Sequence, residues 1–174
     1  YAVKVLHRKL ATSADVYQRF QDEARLIATL RHPHILPITD FDRDESGVPF
    51  FVMDLLEGES LAQRLKHKET LPFAQTMDIV SQVGSALHAA HRSGIVHRNL
   101  RPENIFLVRH DLGDRVVETT KVTDFGLACF RRTPGTSRDV PPSVYNAPEL
   151  LQEGAAVDGR ADQWALAALA YRVL

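Results

Sequence analysis

Residues 97–104 read HRNLRPEN and concentrate side chains that could do chemistry, at the junction between a helical pattern and a β-rich one. The amide of Asn99 can orient a hydroxyl group through its oxygen or its NH₂ group. It is essentially not basic, however, so it would contribute little as a proton acceptor. We take this stretch as the centre around which the other elements position their side chains.

A second chemical pair is predicted between Lys4 and Glu23. Lys4 lies in the strand pattern of residues 1–6, and a buried lysine is costly unless an acid pairs with it. Glu23 falls on the apolar face of a helix that runs to about Leu30, because residues 16, 20, 23 and 27 follow the helical spacing. From periodicity alone, each side chain has an alternative in which its charged tip reaches solvent.

The remaining elements must hold these groups in place. Thr12 or Ser13 is expected to cap the first helix. The patterns further predict strands at residues 35–41 and 48–55, a helix at 72–91 ending before Gly94, strands at 105–108 and 116–123, and a helix from Asp162. The apolar face of the helix at 72–91 is predicted to comprise Phe73, Met77, Val80, Leu87 and Ala90.

Composition excludes several classes of protein. With 174 residues, 44% of them hydrophobic and 25% charged, the chain has the composition of a globular domain with one core. The formal net charge of -1 argues against nucleic acid as a partner. No apolar run approaches the roughly 20 residues of a membrane span, and the lone Cys129 fits a reducing compartment. We therefore expect a cytoplasmic chain with no membrane contact from this segment. His88 and His91, three apart without a carboxylate or cysteine companion, favour ordinary histidines over a metal site.

Taken in chain order, the motifs resemble those of eukaryotic-type serine/threonine protein kinase domains, including the bacterial ones. HRNLRPEN is similar to the family's catalytic loop, HRDLKPEN, with the family spacing between Asn99 and Asn104. The other matching parts are Lys4 in a Val-Ala-Ile-Lys-like strand, Glu23, Asp124-Phe125-Gly126, Ala147-Pro148-Glu149 and Asp162-Gln163-Trp164. Any one of these could arise by chance, but their recurrence in order implies an α+β, two-lobed protein-kinase-like fold.

The resemblance implies how ATP would be held. Lys4, with Glu23 behind it, would grip the α- and β-phosphates. The adenine ring would meet the main chain of Asp54 and Leu56, so the identity of those side chains says little. Phe106 would lie under the ring.

The resemblance also implies a metal site and an anchor. Asn104 and Asp124 would hold Mg²⁺, whose preferred ligands are oxygens. Asp162 would accept hydrogen bonds from the loop backbone near His97. Arg98 would bind a phosphorylated activation segment. The candidate phosphosites are Thr133, Thr136 and Ser137.

Departures from the family pattern bear on activity. Asn99 stands where the family has its catalytic aspartate, and general acid-base help is typically worth about 10² to 10⁴ in rate, or roughly 3 to 5 kcal/mol. Arg101 stands in place of a lysine and would alter the γ-phosphate contact, because guanidinium is a bulky planar fork. Pro142 occupies the position of a threonine whose hydroxyl meets that aspartate, so both partners of one hydrogen bond have changed.

We expect residues 1–174 to be a fragment of a kinase domain, without the glycine-rich loop and the C-terminal helices. Residues 1–54 would belong to the small lobe, 55–59 to the hinge and 60–174 to the large lobe. The expected function is a serine/threonine kinase-family domain that binds ATP and Mg²⁺ but transfers phosphate poorly, a pseudokinase that acts as a scaffold or allosteric partner of another protein. The alternative is an active serine/threonine kinase that phosphorylates protein hydroxyls. Small-molecule phosphotransferases are disfavoured by Ala147-Pro148-Glu149.

Overall fold

The computed structural model describes residues 1–5, 14–125, 143–152 and 154–174, except for the side chains of residues 14–17, 19, 20 and 23. Its strands are β1 (Ala2–Val5), β2 (Ile38–Arg43), β3 (Pro49–Met53), β4 (Gly58–Ser60), β5 (Ile105–Asp111) and β6 (Val116–Val122). Its helices are α1 (Ala14–Thr29), α2 (Leu61–His67), α3 (Phe73–Arg92) and α4 (Gly159–Val173), with 3₁₀ turns at Pro102–Asn104 and Pro148–Leu151. The architecture is α+β, as the sequence predicts.

The first sheet has the antiparallel order β1-β3-β2 and carries Lys4 on its inner face. Side chains alternate along β1, so Val3 and Val5 are exposed whereas Ala2 and Lys4 are half-buried. Lys4 is paired in register with Phe51 of the central strand, and the Phe51 side chain is completely buried. The alternation therefore directs the lysine inward.

The second sheet has the antiparallel order β4-β5-β6. Its edge strand β4 begins at Gly58, where φ is +141° and where an added Cβ would lie 2.0 Å from the carbonyl oxygen of Leu107. Only glycine permits this close approach of the two strands. The first sheet ends at Met53 and the second begins at Gly58, so the predicted hinge at residues 55–59 overlaps the join. The assignment of lobes and hinge stays a prediction.

Helix α2 was not predicted from the sequence, although a local signal for it is present. Ser60 and Gln63 form a capping box, in which the Ser60 hydroxyl accepts from the Gln63 N–H and the Gln63 side chain accepts from the Ser60 N–H. Arg64 then ties the helix to the second sheet. Its guanidinium donates to Glu59 at 2.6 Å and to Glu118 at 2.6 Å. These contacts fix α2 against β4 and β6.

The link between Arg64 and Glu118 predicts an acid-sensitive stability. The hydrogen bond from Arg64 holds the pKa of Glu118 below its ordinary value of 4.5, against the opposing effect of burial. A lowered pKa stabilises the fold above the unfolded-state pKa and stops doing so as the pH falls through the folded-state pKa. We expect Glu118→Gln to cost about 1 to 2 kcal/mol of unfolding free energy at pH 7. Urea unfolding should show a smaller cost below pH 4.5.

The matched control for this prediction is Asp114→Asn. Asp114 is an exposed carboxylate on the turn between β5 and β6. Its removal should change the unfolding free energy by less than about 0.5 kcal/mol at either pH. Equal pH profiles for the Glu118→Gln protein and the unchanged protein would contradict the prediction.

The large hydrophobic core forms where α3 packs against α4, with Gly84 of α3 facing Leu166 of α4. The predicted face of α3 is partly wrong. Phe73 and Met77 are 68% and 46% exposed, because the helix is rotated so that a different set faces inward. The buried residues of α3 are Thr76, Ile79, Val83, Ala86, Leu87 and Ala90. No helix within the described ranges is long and apolar enough to cross a membrane.

The predicted strand at residues 35–41 begins later than expected, at Ile38. Ile35 instead forms an isolated parallel bridge with Val122 of the second sheet. The N–H of Leu36 donates to the carbonyl of Val122 at 2.9 Å, and Pro37 has no N–H with which to continue a ladder. The segment at residues 34–36 therefore joins the two sheets and does not extend β2.

Candidate functional site

The backbone of the loop at residues 97–104 is anchored by hydrogen bonds to one buried carboxylate. Asp162, at the start of α4, is completely buried. One of its oxygens accepts from the N–H of His97 and the other from the N–H of Arg98, both at 2.8 Å. Arg98 has a φ of +61°, a conformation uncommon for a residue with a side chain. The prediction that Asp162 anchors the loop is confirmed.

His91 is a third partner of Asp162 that the sequence did not reveal. Its Nε2 lies 2.7 Å from an oxygen of Asp162, across 71 positions of the chain. Gly159 makes room for the imidazole, since an added Cβ would lie 2.7 Å from His91 Nδ1. The spacing of His91 to His88 suggested at most a metal pair. No local pattern pointed to a carboxylate so distant in sequence.

His97 fixes the loop from its other side. Its ring is completely buried and lies 4.6 Å from the ring of Phe125, centroid to centroid. Burial lowers the pKa of His97, so the imidazole is neutral at pH 7. Its Nε2 lies 3.0 Å from the carbonyl of Thr123, and its Nδ1 is 3.3 Å from the N–H of Asn99. These partners assign the Nε2–H tautomer, with Nδ1 accepting from Asn99.

Asn104 connects the loop to the strand end that carries Asp124. Its side-chain NH₂ donates to the carbonyl of Asn99 at 2.8 Å, which leaves the amide oxygen to point to another partner. Its own carbonyl accepts from the N–H of Thr123 at 2.9 Å. Asp124 directly follows Thr123, so this hydrogen bond also ties the backbone before Asp124 to Asn104.

Asp124 and Lys4 meet across the two sheets. Lys4 Nζ contacts Asp124 Oδ2 as a hydrogen-bonded ion pair, with the lysine side chain 34% and the aspartate side chain 14% exposed. Asp124 has a φ of +63°, and such uncommon backbone angles occur often at functional sites. The side chain of Glu23, the predicted partner of Lys4, lies outside the described part of the structure. The pairing of Lys4 with Glu23 stays a prediction.

The donors at Asn104 and Asp124 fit a magnesium ion. One offers an amide oxygen and the other a carboxylate, and Mg²⁺ commonly takes one or two protein oxygens and completes its shell with water and phosphate. Within the described ranges, there is no group of three or more histidine, cysteine, aspartate or glutamate side chains that could hold a metal ion. The oxygens of Asn104 and Asp124 are of the kind that Mg²⁺ takes, and a magnesium site here stays a prediction.

The predicted adenine contacts lie where the two sheets join. Asp54 is exposed and Leu56 is half-buried in the segment between β3 and β4. Phe106 is half-buried on β5, in register with Ser60 of β4. These positions border the same join between the sheets, and the contacts of all three with a nucleotide stay predictions.

Arg101 lies on the open side of the loop, in an ion pair with Glu103. Its Nε donates to one glutamate oxygen at 2.7 Å and its Nη2 to the other at 3.0 Å. Mutual hydrogen bonding raises the pKa of Arg101 and lowers that of Glu103, so both are charged at neutral pH. The guanidinium at this position is therefore engaged by a carboxylate and does not stand alone.

The segment after Asp124 is described only in part. Gly126, Pro142 and the candidate phosphosites lie outside the described residues, and their predicted roles stay predictions. Among the described residues, Nε of Arg98 is buried without a hydrogen-bond partner. Farther on, the indole N–H of Trp164 donates to the carbonyl of Val144 at 3.2 Å, which attaches residues 143–152 to α4.

The chain is similar to known proteins in both sequence and structure. Residues 1–174 match the family model described as protein kinase domain. The chain is 40% identical over 177 residues to serine/threonine-protein kinase Pkn1 of Myxococcus xanthus, covering 99% of this chain and 24% of Pkn1. It is 37% identical over 180 residues to serine/threonine-protein kinase pkn2 of the same organism, covering 99% of this chain and 21% of pkn2.

A crystal structure of the Mycobacterium tuberculosis PknI kinase domain aligns with a TM-score of 0.77 and 34% identity, covering 98% of this chain and 62% of that one. The chain spans only about a quarter of the length of Pkn1, 24%. The similarity extends along nearly all of the chain and includes both sheets and the loop between α3 and β5.

Proposed function

The chain belongs to the protein kinase domain family, as a serine/threonine protein kinase-family domain of the bacterial type, and from that premise we propose that it binds ATP with Mg²⁺ but transfers phosphate poorly or not at all. The observation that carries the proposal is Asn99. It occupies the position of the family's catalytic aspartate, inside a loop whose backbone is anchored to Asp162. An amide there can orient a hydroxyl but cannot accept its proton.

Nucleotide binding is supported by the groups that remain. Lys4 reaches the space beside Asp124 from the inner face of the first sheet and supplies a cation for phosphate oxygens. Asn104 and Asp124 supply oxygens for Mg²⁺, which neutralises phosphate charge when bound. None of these groups contacts the side chain at position 99, since Asn104 donates to the main-chain carbonyl of Asn99. ATP binding can therefore be retained when phosphate transfer is lost.

A kinase-family domain that binds nucleotide without efficient transfer would act through its shape. We propose that ATP and Mg²⁺ order the groups around Asp124 and so present a surface to a protein partner, as a scaffold or allosteric regulator. The alternative function is an active serine/threonine kinase that phosphorylates protein hydroxyls. It is favoured by the retained Lys4 and Asp124, because catalysis in this family rests mainly on positioning and electrostatics.

The deciding experiment measures transfer of the γ-phosphate from ATP, with Mg²⁺, to the protein itself and to a general protein acceptor. We expect no transfer above background while nucleotide binding is retained. Transfer that disappears in a Lys4→Met variant would establish the active kinase and overturn the proposal. Failure to bind either ATP or ADP would remove the nucleotide-dependent role altogether.

Nucleotide binding has its own prediction at Lys4. We expect Lys4→Met to weaken ATP binding by about 10- to 100-fold, because a hydrogen bond to a charged group contributes about 1.5 to 3 kcal/mol. Isothermal titration calorimetry with Mg²⁺ measures the change directly. Lys68→Met is the matched control, since Lys68 is exposed at the end of α2 and should leave ATP affinity unchanged. Equal losses in the two variants would contradict a phosphate contact by Lys4.

A further inference from the structure

The side chains of Asn99 and Arg101 share the open side of the loop. Leu100 lies between them and is 2% exposed, whereas Asn99 and Arg101 are each half-buried. Arg101 has an extended backbone, with φ -163° and ψ 161°. Burial alternates over residues 99–101, so Asn99 and Arg101 lie on the more accessible side of this segment and Leu100 on the buried side.

Arg101 does not face that space as a free cation, because Glu103 occupies its fork. Both oxygens of Glu103 accept from the guanidinium, at 2.7 and 3.0 Å. A carboxylate held in this bidentate way occupies the Nε and Nη2 donors, one of the edges of the guanidinium that can bind a phosphate. The same pair of donors cannot serve both anions at once.

We propose that Glu103 competes with the terminal phosphate of ATP for Arg101, and that release of Arg101 from Glu103 makes the site prefer a nucleoside triphosphate over a diphosphate. The inference rests on the proposed function, together with the γ-phosphate contact that the family resemblance implies for position 101. In this arrangement Glu103 is a positioning residue, since it acts on the nucleotide only through the guanidinium.

Arg101 can exchange the Glu103 carboxylate for the terminal phosphate of ATP at a small cost in free energy. The Arg101 and Glu103 side chains are 37% and 53% exposed, so water screens the pair and its net contribution is small. Glu103 is not left without a cation when Arg101 leaves, because Lys66 is close enough to lower its pKa as well. Among the described residues, Glu103 is then a weak competitor of the terminal phosphate for Arg101.

The test compares the affinities of ATP and ADP, each with Mg²⁺, in the unchanged protein and in the Glu103→Gln variant, by isothermal titration calorimetry. A released Arg101 should tighten ATP binding by about two- to fivefold, the range that an exposed ion pair allows. ADP lacks the terminal phosphate, so its affinity should stay the same. The ratio of the two affinities is a quantity that a purely structural role of Glu103 would not change.

Arg101→Gln, alone and combined with Glu103→Gln, supplies the control. If Glu103 acts through Arg101, its replacement has no effect on the ATP-to-ADP ratio once the guanidinium is gone. An unchanged ratio in Glu103→Gln, or an equal rise in the background without Arg101, would overturn the inference while leaving nucleotide binding intact. If neither nucleotide binds the unchanged protein, both this inference and the proposed function fail.

Discussion

Replacing Asn99 with aspartate is expected to raise γ-phosphate transfer by about 10² to 10⁴, the range of general acid-base help. The loop that carries position 99 is already anchored, with the N–H groups of His97 and Arg98 on Asp162 and the carbonyl of Asn99 on Asn104. Aspartate has nearly the shape of asparagine, so the substitution adds a basic oxygen without moving the backbone. The measurement is the rate of transfer to a general protein acceptor at saturating ATP and Mg²⁺.

Two further variants determine what such a rise would mean. Asn99→Ala removes the amide without adding a base, so its rate should stay at background. Asn99→Asp combined with Lys4→Met should lose most of the gained rate, because the phosphates lose their cation. A rate for Asn99→Asp no higher than that of Asn99→Ala would show that the site is deficient elsewhere. The hydroxyl lost at Pro142 would then be the next position to restore.

Several parts of the site could be predicted because they depend on motifs whose residues act through the main chain. Asp162 was expected to hold the loop near His97, and its two oxygens accept from consecutive backbone N–H groups there. Gly94 was expected to end a helix, and it has a φ of +75° just after α3. In each case a short sequence pattern was enough to predict the backbone geometry.

Other parts could not be predicted because they depend on tertiary packing. The rotation of α3 about its own axis depends on its packing against α4 and β6, and in that packing Thr76 is buried while Met77 is 46% exposed. The buried Thr76 satisfies its hydroxyl by donating to the carbonyl of Pro72 at 3.2 Å. A threonine looks polar in sequence, and only the backbone partner makes its burial inexpensive.

Two ion pairs of the site were not predicted from the sequence. The ammonium group of Lys4 contacts Asp124, 120 positions away. The predicted pairing of Lys4 with Glu23 stays a prediction, because the Glu23 side chain lies outside the described part of the structure. Arg101 was read by its position in a motif, and nothing in that motif predicts that Glu103 engages its guanidinium through both oxygens. Charged side chains are long, so their choice of partner depends on which elements the fold brings close.

Asp162 is where a single substitution is expected to cost the most stability. Replacing it with asparagine keeps the shape but puts an NH₂ group where one oxygen accepts, and an amide cannot accept from all three donors. The donors are the N–H groups of His97 and Arg98 at 2.8 Å and the ring of His91 at 2.7 Å. A buried donor left without a partner costs about 1 to 3 kcal/mol, so Asp162→Asn should lose about 2 to 4 kcal/mol of unfolding free energy. Differential scanning calorimetry should show the melting temperature falling by roughly 5 to 15 °C.

The control for this loss is Asp78→Asn, which changes an exposed carboxylate in the second turn of α3 and should alter the unfolding free energy by less than about 0.5 kcal/mol. Gly159→Ala tests the third donor without changing any charge, because the new Cβ would lie 2.7 Å from His91 Nδ1 and push the imidazole off Asp162. Its cost should therefore fall between the other two. If Asp162→Asn were as stable as Asp78→Asn, the loop backbone would have to find other acceptors, and the carboxylate could not be what holds position 99 in place.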